Sequence, residues 1–177
     1  MKPAFPPVRF YFYFNNKEGL FEILYDEMIN TYLNVLQDAV DTMTDNADNL
    51  VKSICKAITL SLRTFQNNKE LARIMLIGAV GLNPLFEQKR AANHQRISRI
   101  FEKIFSELGK NGIISIPDAK MGALLFTGSI YNTITAWLQE EKSVNLVEFA
   151  FPLAVYNLQA LGMNINDLDL KNYLEEL

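Results

Sequence analysis

Between Met121 and Leu138, and again between Phe149 and Leu161, the chain carries no charged side chain. Both segments have helical rather than alternating spacing, and helices that are apolar all round are buried on several sides. A bilayer is not the burial they need. The longest apolar run, Ile74–Leu82, falls far short of the roughly 20 residues a spanning helix requires, and it predicts a buried helix instead. A monomer ending in two such apolar helices has trouble covering them. The pattern therefore predicts a two-fold homodimer that pairs them into a four-helix interface.

The rest of the chain also reads as helix, with no Val/Ile/Thr-rich alternating run and no hairpin dipeptide between such runs. The expected class is all-α, with about six main helices. Asn15 or Asn16 caps a long first helix, whose stripe of Leu20, Leu24, Met28, Tyr32, Val35, Ala39 and Met43 carries it to about Thr44. Leu50, Ile54, Ile58, Leu62 and Phe65 mark a second helix, and an almost wholly apolar third runs from Lys69 to about Gly81. Asn83 as cap and Pro84 at the first helical position start a fourth. Its core face is Ile97, Ile100, Phe101, Ile104, Phe105 and Leu108; Arg90, Arg96, Arg99, Glu102 and Lys103 form a solvated face. Ser115 and Asp118 signal the start of a helix reaching about Glu141, and Asn145 with Glu148 another that ends at Gly162 and contains Pro152. The acidic tail holds one weak amphipathic turn at Leu170, Tyr173, Leu174 and Leu177.

Composition removes several functions. With one histidine and one cysteine, an ordinary zinc site is nearly excluded, and no disulfide can close within the chain. The opening "MKPAFPPV" lacks the apolar core of a secretory signal, which predicts a cytoplasmic location. A net charge of −3 requires any nucleic-acid contact to come from a local patch. His94 lies off the apolar stripe and reads as a surface or rim residue; Cys55 reads as a small core residue. No catalytic set can be assembled, and no cofactor is implied.

One short stretch, "FYFYFNNKEGLFEIL" from Phe10 to Leu24, puts Tyr11, Phe12, Tyr13 and Phe14 beside one another, and neighbouring side chains cannot share a single core. It resembles the junction in TetR-family bacterial transcription regulators, where a recognition helix ends in aromatics, turns, and enters a long connecting helix. The similarity of helix pattern extends from about Arg9 to Leu161. It implies a remnant of a helix-turn-helix DNA-binding domain over residues 1–16 and a ligand-binding and dimerisation domain over 17–177, with dimerisation through the last two bundle helices. Positions matching Arg9, Tyr11 and Tyr13 approach DNA in that family, and the one matching Lys17 meets a phosphate at a helix amino terminus, a reasonable anion site in itself. A family member carries two more helices before this point. Here Pro3, Pro6 and Pro7 forbid a regular helix through most of the opening.

Phe65, Met75, Phe86, Phe101, Phe105, Phe126, Tyr131 and Trp137 come from several helices and are the candidates to line an effector pocket, the alternative for each being simple core filling. Thr127, Asn132, Thr133 and Thr135 are polar groups within an apolar helix that need partners if buried. The function expected is a homodimeric regulator, of the repressor type, that binds operator DNA and a small, largely apolar effector. The alternative is a dimeric ligand-binding module that has lost DNA binding.

Overall fold

The computed structural model describes residues 17–40, 47–81, 83–140 and 146–176. These form seven α-helices and, among the described residues, no strand. They are α1 Lys17–Val40, α2 Ala47–Asn67, α3 Lys69–Arg73, α4 Pro84–Lys110, α5 Ala119–Gln139, α6 Leu146–Ala160 and α7 Asp167–Glu176. Among the described residues no helix is long and apolar enough to cross a membrane.

The second helix is the hub. Its stripe at i, i+4, i+8 and i+12 leaves Leu50, Ile54, Ile58 and Leu62 fully buried. Each such side chain contributes roughly 1.5–3 kcal/mol on leaving water. One flank of α2 packs on α1, another on α6 and α7, and it also meets α3 and α5. The first helix buries more than one stripe: Met28, Tyr32 and Ala39 are buried as their spacing predicts, and so are Tyr25, Ile29 and Leu36. The reason is position, since α1 touches both α2 and α4. The helix starts and ends predicted at Asn15, Asn16, Met43, Thr44 and Asn145 lie outside the described residues.

Local chemistry sets the other ends. Asn83 accepts the amide of Phe86 at 2.8 Å with Pro84 beginning α4, as the sequence predicts. The fifth helix is corrected by one turn: Asp118, not Ser115, is its cap and accepts the Met121 amide at 2.9 Å. The Ser115 amide instead donates to the Leu161 carbonyl at 2.9 Å, tying the α4–α5 loop to the end of α6. Gly162 closes α6 with φ +76°, its own amide bonding to Gln159 and that of Met163 to Leu158. That is the left-handed helix ending that glycine favours. The tail predicted as a weak amphipathic turn is a helix, α7, because Leu170 and Leu174 find a buried seat against α6 and α2.

The run Ile74–Leu82 is a second correction. After α3 the backbone widens into a π-helical segment, Ile74–Gly78, and the Ala79 amide reaches back five residues to the Ile74 carbonyl at 2.8 Å. Met75, Leu76 and Ala79 are buried, while Ile74 and Val80 stay 52% and 59% exposed. In so uniformly apolar a run, hydropathy does not choose the inner face; tertiary packing does.

Candidate functional site

Between α1, α4 and α5 lies a cavity of about 590 Å³, within the range of small-molecule sites. α1 contributes Tyr25, Ile29 and Tyr32 to its wall, α4 the stretch from Glu87 to Ile97, and α5 residues between Leu124 and Ile134. Phe65 from α2 and Leu76 from the π-helical segment complete the lining. Much of this wall is apolar, contributed by Ile29, Ile97, Ile130, Ile134, Leu76 and the faces of the aromatic rings.

Its polar groups are connected. Arg90, whose side chain is only 17% exposed, donates to the Tyr131 hydroxyl at 2.9 Å and to Glu87 at 3.2 Å. Glu87 Oε1 also accepts the Gly81 amide at 2.8 Å, which anchors the carboxylate to the start of α4. The His94 ring meets that of Tyr131 edge-on, with centroids 5.8 Å apart. Burial pushes the Tyr25 hydroxyl above its ordinary pKa, an effect opposed by its hydrogen bond with Asn93 and by the charge of Arg90. Deeper in, Tyr32 is pushed up to about 12 by burial. Its hydroxyl lies 3.2 Å from that of Ser61, whose proton goes to the Ala57 carbonyl at 2.6 Å. One hydroxyl carries one proton, so Tyr32 supplies the other. Both tyrosines are therefore neutral near pH 7.

Of the eight aromatic and methionine candidates, the structure brings two, Phe65 and Tyr131, to this cavity. The others fill the core. Phe101, Phe105 and Phe126 form a closed set with centroids 4.6 to 5.9 Å apart. Phe86 sits behind the wall against Phe21 and Tyr25, and Met75 is fully buried. Trp137 is buried beneath Lys69, whose ammonium stands 5.1 Å from the ring centroid. Along α4 and α5 the phenylalanines pack on one another, while Arg90, His94 and Tyr131 border the cavity.

Arg90 is thus not on a solvated face. No periodicity could show this, because α1 and α5 flank the edge of α4 that projects it. His94 stands at the cavity rim, half-buried. Thr127 and Thr135 donate to the Ala123 and Asn132 carbonyls of their own helix, at 2.8 and 2.9 Å, the usual recourse of a helical threonine. Thr127 and Asn132 also border the cavity. Arg9, Tyr11 and Tyr13 lie outside the described residues; Lys17 opens α1, and its side chain is not described.

Cys55 takes no part. It is buried in α2, and desolvation pushes its thiol up to about 12. A thiol that stays protonated is unreactive. We expect a disulfide reagent at pH 8 to leave the native protein unlabelled for hours and to react promptly once denaturant is added. Rapid native labelling would mean that α2 is exposed.

On the outer side of α5 and α6, Met121, Leu125 and Tyr156 are 54%, 61% and 60% exposed and border one shallow hollow with Ala160 and Leu161. Comparison of the chain with protein-family models, with curated proteins and with solved structures finds no match.

Proposed function

We propose that the chain is a TetR-like, ligand-responsive transcription regulator, a homodimer whose effector sits between α1, α4 and α5. The observation that carries this reading is that α1 itself walls the cavity through Tyr25, Ile29 and Tyr32. A lever of 24 residues, about 36 Å long, would then sense occupancy directly. A ligand preferring one tilt of α1 over another shifts the balance by that difference in affinity alone. The tilt would set the separation of two DNA-reading units, and a two-fold operator presents its half-sites about 34 Å apart. Arg9, Tyr11, Tyr13 and Lys17 are the proposed DNA-facing positions.

Dimerisation is proposed through α5 and α6, supported by the adjoining exposure of Met121, Leu125 and Tyr156. Light scattering should give twice the 20.2 kDa chain mass. The double substitution Leu125→Glu with Tyr156→Glu should return a monomer with unchanged helical content. A monomeric parent chain would refute the dimer.

Selection of duplexes from a random pool, followed by gel shift, tests the whole. Enriched two-fold sites whose binding weakens steeply with salt are expected. If nothing is enriched while dimer and ligand binding persist, the chain is a dimeric binding module without DNA recognition.

A further inference from the structure

The cavity holds an arginine with hydrogen-bond donors to spare. Arg90 offers five N–H groups, of which two are engaged by Tyr131 and Glu87. Asn93, already bonded to the Tyr25 hydroxyl, and His94 add polar groups on the same helix. The one carboxylate in the wall, Glu87, already accepts both Arg90 and the Gly81 amide on a single oxygen. A head group that accepts hydrogen bonds would use the Arg90 donors left over. It must also suit a guanidinium that is itself only 17% exposed, and bonds to a charged group are stronger than neutral ones. The remaining wall asks for hydrocarbon.

We infer that the cavity takes an amphipathic monocarboxylic acid, its carboxylate on Arg90 and its hydrocarbon body against Ile29, Ile97, Ile130 and Ile134. This rests on the ligand-binding reading above and adds the chemical class of the ligand. The planar fork of Arg90 is oriented before the acid arrives, because Tyr131 holds one amino group and Glu87 the other. Glu87 remains 40% exposed, so solvent weakens its competition for the guanidinium.

Calorimetric titration of the full chain with decanoate and with 1-decanol, two probes of equal chain length, separates head from tail. Decanoate should bind about 10- to 100-fold more tightly. Arg90→Met should abolish that preference, and Arg90→Lys, which keeps the charge but loses the fork, should fall between. Circular dichroism shows whether each variant is folded, and the comparison of probes on the parent chain needs no variant. Equal binding of the two probes would overturn the acid while leaving the ligand cavity in place. Binding of neither would overturn both.

Discussion

Phe101→Ala should lower the thermal midpoint by about 6 to 20 °C. Phe101 is 1% exposed and central to three mutually packed rings, 4.6 Å from Phe126 and 5.9 Å from Phe105 between centroids. Truncation removes the buried area, leaves a hole, and breaks two ring contacts at once. Losses of this kind run to about 3–5 kcal/mol. For a chain of this size each kcal/mol moves the midpoint by about 2–4 °C. The three rings join α4 to α5, the most extensively packed pair of helices, so the hole cannot close by moving one of them alone. Phe101→Leu keeps most of the volume and should cost about 1–2 kcal/mol. A midpoint unchanged by Phe101→Ala would show that α4 and α5 do not meet through this face.

Gly162→Ala should be nearly as damaging, for a reason that lies in the backbone. At φ +76° an added Cβ meets the following carbonyl, at a cost of about 1–2 kcal/mol. It would also stand 2.9 Å from Ser115 Cβ and 3.3 Å from the Ser115 carbonyl oxygen. Neither atom is the free end of a flexible side chain. Ser115 is held in place, since its amide donates to the Leu161 carbonyl. The combined expectation is about 2–4 kcal/mol by chemical denaturation. Ser115→Gly in the same chain removes the nearest contact and should recover part of the loss, the backbone strain remaining. Gly109→Ala is the matched control: a Cβ there meets nothing within 4 Å, in the last turn of α4. It should stabilise by about 0.4–1 kcal/mol. If both alanines acted alike, the close seating of the α6 end on the α4–α5 loop would be wrong.

Much of the architecture is legible in residue order because it depends on short-range rules. Asn83 with Pro84 starts α4, Gly162 ends α6, and the stripe Leu50, Ile54, Ile58, Leu62 is the buried face of α2. A capping bond spans three residues and a stripe repeats every 3.6. Both are properties of a helix taken by itself. The face exposed by Met121, Leu125 and Tyr156 belongs with them in part. Two charge-free segments mark these helices as strongly apolar, without saying which side stays exposed.

The cavity is another matter. Phe101 and Tyr131 look equally able to line a pocket when read along the chain, yet one is core and the other wall. Arg90 shares a spacing with the solvated Arg96 and Arg99 and is nevertheless held by Tyr131, forty-one residues away. The π-helical turn at Ile74–Gly78 likewise selects Leu76 for the cavity from a run with no polar residue to guide the choice. Sequence by itself determined most of the helices, where several of them begin and end, and the all-α class. Only the tertiary structure decided which side chains face the cavity. A cavity is a gap between neighbours, and the distance between neighbours is set by all the side chains packed elsewhere along them.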